Sequence, residues 1–224
     1  MAKQMQFDLP YRAAMGRQDF FLSPCNAVAV AGIDAWHHWP LSKMILIGPE
    51  GAGKTHLAHV FAAQSGALIH NATGLQEADI PKLMQACALV IEDCDQIAGD
   101  AAREEMLFHL HNNAATRQAP LLLTARDKPE AWGIALPDLD SRLRQADLLR
   151  LEAPDDAALM AVTMKLAHDR GISLPASVLQ YALPRIERSF KAVIDFVIEL
   201  DQQALSEGKS PSLSHARAIL GMEG

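Results

Sequence analysis

Eight residues constrain this chain more than any others: Gly48-Pro49-Glu50-Gly51-Ala52-Gly53-Lys54-Thr55 matches G-x-x-x-x-G-K-[ST] at every fixed position. The run follows a short apolar stretch at residues 43–48 (KMILIG) and leads into a helical pattern over residues 54–65. A strand that passes through a glycine loop into a helix makes a cradle for phosphate. The glycines let backbone N–H groups fold around phosphate oxygens, and the helix start adds its positive end. Lys54 is expected to reach the β- and γ-phosphates and Thr55 to ligate Mg²⁺, while His56 follows in the first helical turn, near phosphate. The competing reading is a glycine-rich turn without a ligand.

A phosphate loop needs a second strand that ends in acids, one for the metal and one for the attacking water. Residues 88–93 (ALVIED) supply it. The usual order is Asp for Mg²⁺ and then the water-positioning acid; here Glu92 takes the first place and Asp93 the second. Each exchange displaces a carboxylate by about 1 Å, and errors of that size cost ~10²-fold in rate. Binding is therefore expected to outlast turnover.

Strand-like runs at residues 43–48, 67–71, 87–93, 120–124 and 147–151 alternate with helical patterns at residues 54–65, 79–86 and 103–116. That alternation predicts an α/β fold: a parallel sheet flanked by helices on both faces. From residue 154 the texture is helical, with stretches at 155–170, 175–185, 189–206 and 212–220. The expected organisation is an N-terminal extension (1–18), a nucleotide-binding α/β domain (19–153) and a small all-helical domain (154–224). With 224 residues, half of them apolar, and a net charge of −7, general disorder is excluded and phosphate-backbone binding is a poor main occupation. No apolar run approaches a membrane span and the start lacks a signal-peptide profile. The three cysteines, Cys25, Cys87 and Cys94, sit among apolar neighbours and read as buried free thiols of a cytoplasmic protein.

A phosphate loop suits a GTPase, a kinase or an ATPase. The base-reading N-K-x-D of GTPases is absent, and a kinase would need an acceptor-binding motif that the chain does not offer. The sequence resembles the DnaA/Hda branch of AAA+ ATPases, its short Hda members more closely. The resemblance is carried by residues 19–29 (DFFLSPCNAVA), 48–59, 90–100 (VIEDCDQIAGD), 121–132 (LLLTARDKPEAW), 136–143 (LPDLDSRL) and 170–193. It implies a P-loop AAA+ sheet domain with a helical lid, holding ADP or ATP with Mg²⁺. It also implies that Arg142 is an arginine finger acting in a neighbouring subunit, a role suited to a permanently charged, fork-shaped group. Lys191 falls where relatives carry the lid arginine that senses nucleotide. Arg126 stands where the fourth strand commonly ends in an acid, a second departure that weakens the case for autonomous hydrolysis. Phe20, Phe21, Leu22 and Asn26 would flank the adenine.

Gln6-Phe7-Asp8-Leu9-Pro10-Tyr11 resembles the peptide that such relatives dock into the β sliding clamp of DNA polymerase. Leu9 and Tyr11 would fill an apolar cleft, Gln6 would bond at its rim, and Pro10 would lower the entropy lost on docking. The resemblance thus implies two partners, the initiator DnaA and the clamp, with no direct sequence-specific DNA binding and no membrane. A homodimer is left open. An autonomous ATPase of helicase-loader type and a purely structural paralogue are the rival readings.

Other signals are discounted. His109 and His111 are two apart on a helix and point in different directions, so they are no ligand pair. His56 with His59 suits a helix better than zinc. Trp36, Trp39 and Trp132 read as packing residues, and Arg103-Glu104-Glu105 as a solvated helix face.

Overall fold

The computed structural model describes Arg17 and residues 20–221. Five strands, β1 (Lys43–Ile47), β2 (Leu68–Asn71), β3 (Leu89–Glu92), β4 (Leu121–Ala125) and β5 (Leu148–Arg150), form one parallel sheet in the order β2-β3-β4-β1-β5. The strand parity sorts the core into two layers. Ile45, Ile47, Leu89, Ile91, Leu121 and Leu123 face one way, onto α3 (Ile80–Met84), α4 (Ala101–Arg117) and α5 (Pro137–Arg144). Met44, Leu46, Val90 and Leu122 face the other, onto α1 (Ala27–Asp34) and α2 (Lys54–Ser65). Burial on both faces is why these strands read as continuous apolar runs.

The C-terminal helices α6 (Asp156–Asp169), α7 (Ala176–Ala182), α8 (Phe190–Ser206) and α9 (Leu213–Leu220) enclose a core of their own around Val178, Val193, Phe196 and Leu200. Asp155 caps α6 by accepting the Ala158 N–H at 2.7 Å, and Ser189 caps α8 through the Ala192 N–H at 3.1 Å. Each such cap contributes roughly 1 kcal/mol. α7 stops short of the predicted residue 185 because Pro184 has no N–H to continue the helical ladder, although Leu183 before it keeps helical dihedrals (φ −56°, ψ −40°).

Several expectations need correction. α1 is apolar nearly all round and carries no amphipathic stripe, so periodicity did not reveal it. Of the three cysteines only Cys94 is buried; Cys25 is half-buried and Cys87 lies at the surface, all of them as free thiols. Glu104 is not part of a solvated face: it is 1% exposed, while Glu105 beside it points outward. The tryptophans do pack: Trp39 stacks on Phe61 at 4.9 Å, and Trp132 donates its indole N–H to the Asp127 carbonyl at 2.7 Å. Among the described residues no helix is long and apolar enough to cross a membrane.

Candidate nucleotide site

The phosphate loop leaves the end of β1, on the sheet edge where β3 and β4 also end. Its glycines are required locally. A Cβ on Gly48 would stand 2.7 Å from the Leu151 carbonyl oxygen, and Gly51 has φ +72° with Ser189 so close that a Cβ would fall 2.4 Å from it. Gly53, in the left-handed region at φ +101°, opens α2 with no side-chain cap. The first N–H groups of a helix lack intrahelical partners, so this end offers donors to an anion.

Lys54 folds back on its own loop, donating to the Gly48 and Pro49 carbonyls at 2.6 and 2.9 Å. Burial lowers its pKa, against the opposing pull of Asp93 and Asp95. Ala52 is buried beneath the loop, and Glu50 at its exposed tip pairs with Arg126 at 3.0 Å. The Thr55 hydroxyl is hydrogen-bonded to the Glu92 carboxylate, whose pKa burial raises. A hydroxyl and a carboxylate side by side suit Mg²⁺, which takes one or two protein oxygens and completes its shell with phosphate and water. Asp93 occupies left-handed backbone at φ 57°, an uncommon state for a residue with a side chain. Its N–H donates to the Thr124 hydroxyl at 3.1 Å and its carboxylate accepts from Asn71 at 2.7 Å. Among the described residues there is no group of three or more His, Cys, Asp or Glu that could hold a metal ion.

The helical region closes the other side. The Phe190 N–H donates to the Gly51 carbonyl at 2.9 Å, joining the start of α8 to the phosphate loop directly. A cleft of about 500 Å³ lies between them, and its apolar lining comes from Phe20, Phe21, Val162, Leu166, Phe190 and Ile194. His56 also lines the cleft and meets Phe20 edge-on at 5.0 Å. Lys191 stands at the mouth, paired with Asp195 at 2.8 Å, a hydrogen bond that raises its pKa.

The structure thus brings Glu50, Gly51, Gly53, Lys54, Thr55, His56, Asp93, Arg126 and Lys191 onto one cleft. Glu92 stands off its wall, reached only through Thr55. Asn26 is elsewhere too: it is buried, accepts the Ser23 N–H and donates to the Phe21 carbonyl, so it shapes the segment that carries Phe20 and Phe21. Leu22 faces solvent. Apart from Lys191, the cleft residues of α6 and α8 were not foreseen as a site, although Val162 with Leu166 and Phe190 with Ile194 repeat at i, i+4 on one helix face. Gln6, Phe7, Asp8, Leu9, Pro10 and Tyr11 lie outside the described residues.

Arg142 belongs to the opposite edge. Its carbonyl accepts from Lys43, the first residue of β1, whereas the phosphate loop follows the last, about 13 Å further along the strand. The guanidinium lies over the Phe108 ring at 5.3 Å, exposed, with no carboxylate partner among the described residues.

Residues 155–218 match the family model of the Hda lid domain. The C-terminal helices thus resemble an Hda lid domain, set on a sheet domain of AAA+ fold. Its fold is shared with domain III of the replication initiation protein DnaA from Thermotoga maritima, at a TM-score of 0.81 and 18% identity over 95% of this chain and 98% of that one. AMPPCP-bound DnaA from Aquifex aeolicus matches at 0.70 and 16%, covering 85% and 66%. The RuvB Holliday junction branch migration motor of Thermotoga maritima matches at 0.70 and 15%, covering 93% and 72%. At these identities the likeness is one of fold, and the likeness to Hda is carried by the lid alone.

Proposed function

We propose that this Hda-like chain is a negative regulator of replication initiation: it holds an adenine nucleotide, ADP in its working state, and promotes ATP hydrolysis by the initiator DnaA. The observation that carries this reading is the separation of Arg142 from the chain's own phosphate loop, with its charge unpaired among the described residues. An exposed guanidinium that cannot serve its own cleft is suited to a neighbour's. There its fixed fork of donors would stabilise charge spreading over the transferring phosphoryl group, at any physiological pH.

The cleft supports the nucleotide half of the proposal. Lys54, the open end of α2 and Arg126 supply positive charge, and Phe20, Phe21, Leu166 and Phe190 supply an apolar wall against which a base would pack. Thr55 and Glu92 would hold Mg²⁺ when nucleotide is present. The nucleotide would tie the sheet to the lid through the contact already made between Gly51 and Phe190. Asp93 is the residue that would position a water, yet it is one methylene shorter than the glutamate usual there, so intrinsic turnover is expected to be weak. The peptide from Gln6 to Tyr11 would dock the chain on the β sliding clamp and so bring Arg142 to initiators near clamp-loaded DNA.

The test is ATP hydrolysis by the matching initiator with clamp-loaded DNA, in the presence of wild type, Arg142→Ala or the Gln6→Ala/Leu9→Ala double variant. Stimulation by wild type that both variants lose supports the reading. Equal stimulation by Arg142→Ala overturns the finger. Turnover by the isolated chain that disappears in Lys54→Ala would favour the helicase-loader alternative.

A further inference from the structure

The helix that carries Arg142 is short, and its start lacks a cap of its own: Leu136 occupies the N-cap position, with no side-chain bond, and Pro137 follows. The missing partner comes from another helix. Glu104, in the first turn of α4, sends its carboxylate into the gap between two loops. Oε2 accepts the Leu136 N–H at 2.7 Å, and Oε1 accepts the N–H groups of Ala135 at 3.0 Å and Gly99 at 2.7 Å. A carboxylate that is 1% exposed is tolerated only when its oxygens are bonded, and three backbone donors meet that need.

The far end of α5 is held as well. Lys43, itself buried, donates from Nζ to the Arg142 carbonyl at 3.2 Å and lies 3.4 Å from His111 Nε2. Glu104 and His111 are seven residues apart and share the inner face of α4 with Leu107. A negative group therefore sits at the start of α5 and a positive one at its end, both favourable to the helix dipole. The backbone of α5 is pinned while the Arg142 side chain is left on the surface.

We propose that Glu104 is a positioning residue for Arg142: by fixing the first turn of α5 it sets where the guanidinium projects into a partner's nucleotide site. The proposal rests on reading Arg142 as the arginine finger. An eight-residue helix is about 12 Å long, so a tilt of roughly 5° about its start moves its end by about 1 Å. A displacement of that size in a group that meets a transition state lowers rate by up to ~10²-fold.

Glu104→Gln separates this role from mere packing. The amide keeps the volume, and its oxygen can still accept from Gly99 and Ala135. Its NH₂ then faces the Leu136 N–H, donor against donor, so the loss falls on the start of α5. Expected are a drop of about tenfold or more in the maximal rate of initiator ATP hydrolysis and faster hydrogen exchange at the Leu136 amide. The half-saturating concentration and the chain's own affinity for ADP should stay within about twofold. The double variant Arg142→Ala/Glu104→Gln should be no worse than Arg142→Ala alone. If Arg142→Ala abolishes stimulation but Glu104→Gln reaches the wild-type maximum, Glu104 does not position the finger. If Arg142→Ala itself stimulates normally, the finger reading fails and this proposal fails with it. Should Glu104→Gln not fold, Leu136→Pro carries the same test, since it removes that N–H donor at a φ of −77° that suits proline, with Leu136→Ala as the control for the loss of the side chain packed on the core.

Discussion

The two edges of the sheet treat their charged residues in opposite ways. At the phosphate-loop edge the functional groups are bonded within the chain: Lys54 to loop carbonyls, Thr55 to Glu92, Arg126 to Glu50 and Lys191 to Asp195. At the other edge the backbone of α5 is bonded at both ends and the Arg142 side chain lies over the Phe108 ring, with no carboxylate partner among the described residues. A nucleotide entering the first edge must exchange existing bonds for new ones, so only the surplus of the new bonds over the old appears as affinity. The second edge keeps a charge ready and its support fixed, which suits repeated use on another molecule.

This contrast can be broken at several points. The largest effect should come from Arg142→Ala, which is expected to reduce stimulated hydrolysis by about 10³-fold or more while leaving the chain's own nucleotide affinity and melting temperature nearly unchanged. A parallel loss of nucleotide binding would mean that the edges are not independent.

Acid should weaken the support behind that edge. Burial, then the nearby positive charge of Lys43 and Arg142, lower His111 from 6.5 to about 4. The folded state therefore binds fewer protons than the unfolded chain between those values. The contribution is complete above about pH 6.5, falls as pH drops and is spent below about pH 4, a loss of roughly 3 kcal/mol. Urea midpoints measured at pH 7 and pH 4.5 should show it, and His111→Gln should flatten the dependence. An unchanged slope in that variant would move the cause elsewhere.

At the binding edge, Lys54→Ala should weaken ADP binding by about 10- to 100-fold, the range for one charge-assisted contact, as read by titration calorimetry. Smallest of all is Arg126→Gln. The Glu50–Arg126 pair is exposed, so stability should change by less than about 1 kcal/mol in a thermal melt, with only a few-fold change in ADP affinity. A collapse of binding in Arg126→Gln would make the guanidinium a principal phosphate ligand rather than a tether of the loop tip.

How much of this was readable beforehand follows from what each feature depends on. The phosphate loop is a local motif, and the three central strands β1, β3 and β4 declare themselves because burial on both faces makes them nearly continuously apolar. Arg142 and Lys191 were reached through family resemblance, since an exposed arginine on a helix has no signature of its own. Glu104 was misread for a related reason. Arg103-Glu104-Glu105 gives no sign of which charge turns inward, and the amides it binds come from residues 99, 135 and 136, which only the folded chain brings together. Of the apolar lining of the cleft, Phe20 and Phe21 were foreseen through the resemblance, whereas Val162, Leu166, Phe190 and Ile194 were not, because they come from two further segments that only the fold brings alongside. Asn26 was assigned to the ligand where it holds the backbone that presents two aromatic rings.

The central claim is that this chain holds a nucleotide at one edge and acts with the other. It is tested most directly by loading the initiator with ATP labelled at the γ-phosphate and the Hda-like chain with unlabelled ADP, then mixing them on clamp-loaded DNA. Release of labelled phosphate with wild type, and not with Arg142→Ala, is the predicted result. Labelled phosphate released equally by Arg142→Ala, or no release with wild type, would contradict it.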